Sequence, residues 1–371
     1  MSLIVGFVKL GNIGSAPLLE FLLDERAERE DIDVRVVSSG AKLGVEQAKE
    51  VSRKLLEFNP SLVIVTSPNA SLPGPAKVRK IMAESKKPCI TISDEPAKKA
   101  INEIKNLGQG YIIVEADSML GARREFLDPN EMSLFNVDVI KVLTITGAFN
   151  VLFKEIDRVI EEIKVGSEPK LPQIVIDKNI AIKNSGLKNS YAIAKAIASY
   201  EIAKAVSSLT VEACFIEKKW EKYTILAASA HEMMRIAAIL ADQAREIEKG
   251  NDTLVRTPHY DDGSLLRKVA LIEKPVKEGI KVNPKEIAER LPENSLSSVS
   301  ENLTSILLTS TKAKVSSDLA KELLSDLRSG SVNTRKGIEH LLQALLPEEA
   351  SKVSLIFKEI GLKELSSLVE G

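Results

Sequence analysis

Two cysteines, three histidines and one tryptophan are all that 371 residues carry of the side chains most used for cross-links, metal cages and large aromatic cores. Cys89 and Cys214 each sit in a strand-like apolar run, and two cysteines without repeated spacing make neither a disulfide framework nor a metal cage. Both read as buried thiols in a reducing compartment. His231, His259 and His340 lack metal-ligand spacing, so no metal is expected. An excess of either charge is also missing: 51 Lys and Arg face 52 Asp and Glu. That balance excludes the basic footprint of a nucleic-acid binder, and with 44% apolar residues it excludes a disordered chain. The opening LIVGFVKLG has neither a basic lead nor a small-residue cleavage site, and no run reaches the roughly eighteen apolar residues that span a bilayer. A cytoplasmic protein with no membrane and no nucleic-acid partner is expected. Its length predicts two or three domains.

What is present begins with alternation. Five apolar runs, residues 3–8, 34–37, 62–66, 89–92 and 111–114, are separated by amphipathic stretches such as 16–24 and 45–58. Short β-branched runs between helical patterns predict parallel strands with right-handed crossovers, hence an α/β, doubly wound, mostly parallel sheet over residues 1–128. Ligands of such sheets bind beyond the carboxyl ends of the strands, so the polar residues there are the site candidates. The first strand runs into Lys9-Leu10-Gly11-Asn12-Ile13-Gly14-Ser15, a glycine turn that opens a helix. It departs from the G-x-G-x-x-G pattern, because Lys9 stands where the first glycine belongs and the second strand ends in Ser38-Ser39-Gly40 without an acidic ribose ligand. A tight turn without ligand and an anionic cofactor at the helix N-terminus are the two readings. After the third strand, residues 67–75 hold Pro68, Asn69, Pro73 and Pro75, a stiff loop suited to be a pocket wall or simply rigid. After the fourth, Asp94 is either an ordinary N-cap or a site carboxylate. After the fifth, DSMLGARREFLDP packs Arg123 and Arg124 among carboxylates that include Asp117, which reads as a solvated charge run or as the centre of a site.

Residues 129–275 read as a helical bundle with a small antiparallel sheet. One or two helices cover 130–165, short strands are expected at 173–176 and 180–182, a helix at 191–205, and paired strands at 211–216 and 223–226. Ser229-Ala230-His231-Glu232 has the form of a capping box, which places His231 in a first helical turn where the helix dipole keeps its imidazole neutral. A core or surface histidine is the alternative for His231, and Met233 and Met234 read as core. Arg256-Thr257-Pro258-His259 and Asp261-Asp262-Gly263 are turn chemistry between two short extended pieces. Residues 276–371 change character. Asn283-Pro284 starts a helix, Leu319, Leu323 and Leu327 recur every four residues, and a leucine stripe at 341–346 is bounded by Pro347. Four or five short helices in a small all-α segment are expected, with an unknown partner.

Taken together and in order, KLGNIGS, PNASLPGPAK, DSMLGARREFLDP, SAHEMMR and RTPH resemble the coenzyme F420-dependent methylenetetrahydromethanopterin dehydrogenases of methanogenic and related archaea. The resemblance covers roughly residues 1–275 and leaves the last segment outside it. It implies reversible hydride transfer between a deazaflavin, coenzyme F420, and the one-carbon unit of methylene- or methenyl-tetrahydromethanopterin, without a metal. It also implies a homo-oligomer, a hexamer built as a trimer of dimers. Under it Asp94, Asp117 and a neutral His231 are the catalytic candidates, because an acceptor that is a methenyl cation is stabilised by nearby carboxylates. Lys9, Gly11, Asn12, Gly14, Ser38, Pro68, Asn69, Arg123 and Arg124 are the cofactor-binding candidates, the cations for the phosphate and glutamates of its tail. A phosphorylated nicotinamide stays open as the alternative because Ser38 and Ser39 lack the acid that rejects a ribose phosphate. A non-catalytic scaffold presenting the C-terminal helices is the other.

Overall fold

The computed structural model describes residues 2–23, 30–118, 128–259, 263, 266, 268–273, 284–309, 317–362 and 365. Six parallel strands form one sheet in the order β2-β1-β3-β4-β5-β6: β1 (Leu3–Lys9), β2 (Ile32–Ser38), β3 (Leu62–Ser67), β4 (Cys89–Asp94), β5 (Gly110–Val114) and β6 (Gln173–Ile176). The period of two explains why these runs are strands. Phe7, Ile64, Ile92 and Val114 face one core, whereas Val8, Val63 and Val65 face a second and Tyr111 and Ile113 a third. Each such aliphatic side chain removed from water contributes about 1.5–3 kcal/mol, so a one-residue slip of register would be costly.

Helices cover both faces: α1 (Ser15–Leu23), α2 (Val45–Leu56), α3 (Pro73–Glu84), then a 3-10 turn (Glu95–Ala100) leading into α4 (Ile101–Asn106). Next, α5 (Pro129–Ile145) and α6 (Ala148–Lys164) meet at a bend of 70°. After β6 come α7 (Lys178–Asn184), α8 (Ser190–Val211) and α9 (Trp220–Gly250). Residues of α1, α5, α6, α8 and α9 join the larger core on one face of the sheet, and α2 and α3 cover the other. By length and composition α9 is apolar enough to cross a bilayer, but Ala230, Met234, Ala237 and Ala238 place it in this core. Strands β7 (Val255–Arg256) and β8 (Val269–Ala270) are the extended pieces of a small second sheet.

Several expectations are corrected. Residues 173–176 do not belong to a small separate sheet; they are β6, the outer strand of the main one, and 180–182 lie in α7. Residues 211–216 and 223–226 are not paired strands: the first are the end of α8 and a π-helical turn (Glu212–Ile216), and the second lie inside α9. Short apolar runs carry no decisive period, and the alanines beside them let α8 and α9 pack closely. Ser229 is not a cap, because α9 starts nine residues earlier at Trp220 and the Ser229 hydroxyl donates back to the Ile225 carbonyl at 2.8 Å. Pro347 does not end its helix, and Cys214 is only half-buried in the π turn.

The chain divides into two compact units, the first running to Arg256 and the second formed chiefly by the segment from Glu273. The second holds α10 (Pro284–Arg290), α11 (Leu296–Thr309), α12 (Ser317–Ser329) and α13 (Arg335–Glu359), which runs through Pro347. Its own core contains Leu291, Leu303, Leu323, Leu341, Leu345 and Phe357. Arg335 donates to the carbonyls of Ala288, Glu289 and Leu291 at 2.7, 2.8 and 2.7 Å, satisfying the open end of α10. His340 hydrogen-bonds Asp326 at 2.7 Å and so ties α13 to α12.

In the first unit a buried cation holds the proline loop. Arg79, with no exposed surface, donates to the Ala70 carbonyl at 2.7 Å and pairs with Glu103 at 3.2 Å, joining α3 and α4 to the chain after β3. Removing that guanidinium leaves a buried carbonyl without a donor. Arg79→Ala is therefore expected to lower stability by about 2–3 kcal/mol, read as a shifted urea midpoint at unchanged slope.

Candidate functional site

From β1 the chain winds first to β2 on one side and later to β3 on the other, so the strand order reverses between β1 and β3. A crevice opens at such a point, beyond the carboxyl ends of the two strands. Here it lies between the glycine turn after Lys9 and the proline loop after Ser67. The two loops touch: a Cβ on Gly11, whose φ is +77°, would meet Leu43 at 2.7 Å and Pro68 at 3.0 Å. Only glycine allows that approach in that conformation.

The turn's amides are committed within the chain. Leu10 N–H donates to Thr66 O and Gly11 N–H to Gly40 O, each at 2.9 Å. At the start of α1, Gly14 N–H donates to Asp117 Oδ1 at 2.6 Å and Ser15 N–H to Asp117 Oδ2 at 3.0 Å. The anion at this helix N-terminus is thus the chain's own carboxylate, carried from the end of β5. Gly14 has no room for a side chain, since a Cβ would stand 2.3 Å from Val139. Burial pushes the Asp117 carboxyl up to about 6, against the pull of its bonds with Ser15 and Gly14.

Asp94 ends β4 and is buried. Its Oδ1 accepts from Glu95 N–H at 2.6 Å, capping the 3-10 turn, and its Oδ2 accepts from the Ser207 hydroxyl of α8 at 2.7 Å. The N-cap reading of Asp94 holds, and the same carboxylate lines a cavity of about 150 Å³ with Pro68, Asn69, Leu72, Val211 and Phe215. Burial drives the Asp94 carboxyl well above the usual range; Ser207 and the Glu95 amide oppose this, and the charges of Asp117 and Glu95 add to it. The proline loop forming the opposite wall is fixed by Ser93, whose hydroxyl donates to Ser67 O at 2.6 Å and accepts from Ala70 N–H at 3.0 Å. Asn69 Oδ1 accepts from Ser71 N–H at 3.0 Å.

His231 lies in the fourth turn of α9, not at a helix start. Its ring stacks on Phe135 of α5 with centroids 4.4 Å apart. Burial, opposed by the Glu232 charge, lowers its pKa, so the neutral imidazole expected from a helix dipole is produced by desolvation instead. Lys9 pairs with Glu20 at 2.5 Å, and Asn12 is exposed between the two glycines. Ser38 and Ser39 are used in their own turn: the Ser38 oxygen accepts from Gly40 N–H at 3.0 Å, and the Ser39 hydroxyl donates to Lys42 O at 2.6 Å. Arg123 and Arg124 lie outside the described residues.

Sequence reasoning missed the residues that tie these loops to the helices. Glu115, just after β5, accepts from Lys98 at 2.5 Å and from Lys204 of α8 at 2.8 Å. Burial works against its charge, yet the bonds from Lys204 and Lys98 outweigh it and hold the carboxyl below its usual range. Tyr200 of α8 donates to the Ile176 carbonyl at 2.6 Å. A larger groove of about 980 Å³ lies at the other end of the sheet, where Pro88, Gln109 and Pro172 lead into β4, β5 and β6. None of the candidate residues lines it, and its Arg158 is paired with Glu155 and Glu162.

A family model described as methylene-5,6,7,8-tetrahydromethanopterin dehydrogenase matches residues 3–276. The F420-dependent methylenetetrahydromethanopterin dehydrogenase of Archaeoglobus fulgidus is 59% identical over 271 residues, covering 73% of this chain and 98% of the relative. That of Methanothermobacter marburgensis is 49% identical over 271 residues with the same coverage, and that of Methanocaldococcus jannaschii 47% over 272. A solved F420-dependent methylene-tetrahydromethanopterin dehydrogenase, in complex with methylene-tetrahydromethanopterin and coenzyme F420, superimposes with a TM-score of 0.71 at 43% identity. It covers 74% of this chain and 100% of its own.

The Asp117 bonds have a titration signature. An Asp carboxyl of ordinary value 3.8 that is held near 6 when folded keeps its proton where the unfolded chain has lost it. Its favourable share of stability is therefore full below pH ~4 and disappears as pH rises through ~6, about 2–3 kcal/mol in all. Urea unfolding from pH 4 to 7 should show this fall, and Asp117→Asn should flatten it, leaving the part due to Asp94.

Proposed function

The chain belongs to the methylene-5,6,7,8-tetrahydromethanopterin dehydrogenase family, and from that premise we propose how its site performs the reaction. The chain is an oxidoreductase that moves a hydride reversibly between reduced coenzyme F420 and methenyl-tetrahydromethanopterin, in archaeal one-carbon metabolism and methanogenesis. The observation that carries the site assignment is the meeting of the Gly11 turn, the Pro68 loop and buried Asp94 where the strand order reverses.

Apolar walls and a buried carboxylate suit a flat, uncharged ring next to a cationic carbon. Coenzyme F420, when bound, supplies or takes up a hydride at a ring carbon. The protein's task is then to orient, to exclude water and to place charge. Gly11, Asn12 and Gly14 form the edge on which the deazaflavin rests, with Pro68 and Asn69 as the facing wall and Lys9 and Ser38 at the rim. Arg123 and Arg124 are proposed to hold its acidic tail. Asp94, whose proton burial favours in the empty site, ionises when the cationic methenyl carbon lies beside it and stabilises that carbon, while neutral His231 on Phe135 adds no opposing charge. Asp117 acts through the turn it pins.

Oligomer and location belong to the same proposal. Leu134 and Val137 on α5, with Trp220, Ile225, Ile236 and Ile239 on α9, are exposed in the single chain. Apolar faces of this kind mark contacts with further copies, and we assign the chain to a homo-oligomer, a hexamer by the family resemblance, in the cytoplasm.

Mixing the protein with methenyl-tetrahydromethanopterin and reduced F420 should restore the absorbance of oxidised deazaflavin, and reduced nicotinamides should not substitute. No absorbance change with F420 would remove the reading. Asp94→Asn is expected to lower kcat about 100-fold, the scale for deleting one fixed electrostatic partner of a transition state.

A further inference from the structure

The cavity at the end of β4 has one wall that comes from no strand-end loop. Ser207, Val211 and Phe215 belong to the last turns of α8 and to the π-helical turn that extends it. Ser207 holds Asp94 Oδ2 at 2.7 Å, and Val211 and Phe215 line the cavity beside Asp94. A spacing of four follows one helix face only loosely, since two such steps of ideal α-helix leave a residue about 80° off line. The wider turn winds more slowly, as the Glu217 N–H to Glu212 O bond at 2.9 Å records, and returns Phe215 towards the Ser207 side. Insertions of this kind recur at functional sites.

Phe215 is 61% exposed, so core packing does not account for its place. The cavity it borders, about 150 Å³ with Pro68, Leu72 and Val211 as further apolar walls, has the size that holds one six-membered ring. A phenyl face at the mouth and a hydrogen-bonded carboxylate inside are what a flat heteroaromatic ring with a cationic carbon requires.

We infer that the end of α8 is part of the reaction site: Phe215 is the face against which a flat ring of one reactant lies, and Ser207 positions the Asp94 carboxylate beneath it. This rests on the hydride-transfer reading above and adds to it residues that come from the helical part of the chain. Two reactants carry flat rings, the deazaflavin and the pterin, and separate binding measurements tell them apart. The groups acting on Asp94 are Ser207, Glu95 of the 3-10 turn and Asp117 after β5, and Lys99 lines the same cavity.

The test uses the full chain with Phe215→Ala, Phe215→Leu, Phe215→Tyr, Ser207→Ala and Ser207→Thr. Calorimetric titration of oxidised F420 and of methenyl-tetrahydromethanopterin, each alone, gives two dissociation constants per protein, and sedimentation velocity gives the assembly state. Phe215→Ala and Phe215→Leu should weaken the same one of the two ligands by roughly fivefold to tenfold, with Phe215→Tyr near wild type and the sedimentation coefficient unchanged. Both affinities within twofold of wild type, or a loss that accompanies a changed sedimentation coefficient, overturns the ring contact; the second outcome would make Phe215 an interface residue between copies. Ser207→Ala should lower kcat at unchanged KM and move the acid limb of the kcat profile to higher pH, because the lost donor favoured the ionised carboxylate, and Ser207→Thr should restore both. A Ser207→Ala profile that superimposes on wild type overturns the positioning role. Wild-type protein that moves no hydride from reduced F420 would instead sink the underlying reaction, and the binding measurements would still decide whether Phe215 touches a ring.

Discussion

One carboxylate closes the site's most important turn. Asp117 reaches from the end of β5 to the amides of Gly14 and Ser15 at the start of α1, more than a hundred residues earlier in the chain, and is the anion at that helix end. The positive end of α1 is thereby neutralised internally, and the glycine turn is fixed relative to β5 as well as to β1 and β3. Everything beyond the strand ends takes its position from this tie: Gly11 against Pro68, Pro68 against Ser93 through the loop, and Asp94 against the charge of Asp117. A site with two buried carboxyls of raised pKa holds them apart by giving each its own pair of donors.

The second constraint runs through α8. Lys204, Tyr200 and Ser207 reach respectively to Glu115, to the end of β6 and to Asp94, so one helix is bonded to three strand ends. None of these contacts is a large stability term by itself. Their joint effect is geometric, since a helix tied at three points cannot slide along the sheet without breaking a buried bond. Positions held this way suit a reaction in which orientation is the protein's main contribution.

Much of this was legible in the sequence and some was not, for reasons that differ by residue. Four of the five expected strands are buried on both faces, where propensity and packing agree, and the fifth, β2, is the sheet edge with Val36 exposed. Asp94, Pro68 and Asn69 were found by their place after strands, and they do line one cavity. The strands expected at 211–216 and 223–226 are helical because short apolar runs fit either period and the flanking alanines favour close helix packing. The capping pattern at Ser229 misled because a cap exists only if the preceding residues leave the helix, and 220–228 do not. Glu115 had the position of a candidate, directly after the fifth strand, but no visible partner; Lys204 and Ser207 gave no local signal at all, because nothing nearby distinguishes one serine or lysine on a helix from another.

The outer strand of the sheet has a consequence for how the chain must be made. β6 pairs with β5 but is separated from it by α5 and α6, so the parallel sheet remains one strand short until residue 176 has left the ribosome. Until then the hydrogen-bonding edge of β5, an entirely buried strand in the finished fold, has nothing beside it. A nascent chain in that state is a template for pairing with its neighbours, and α5 and α6, made between the two strands, are in place to shield it first.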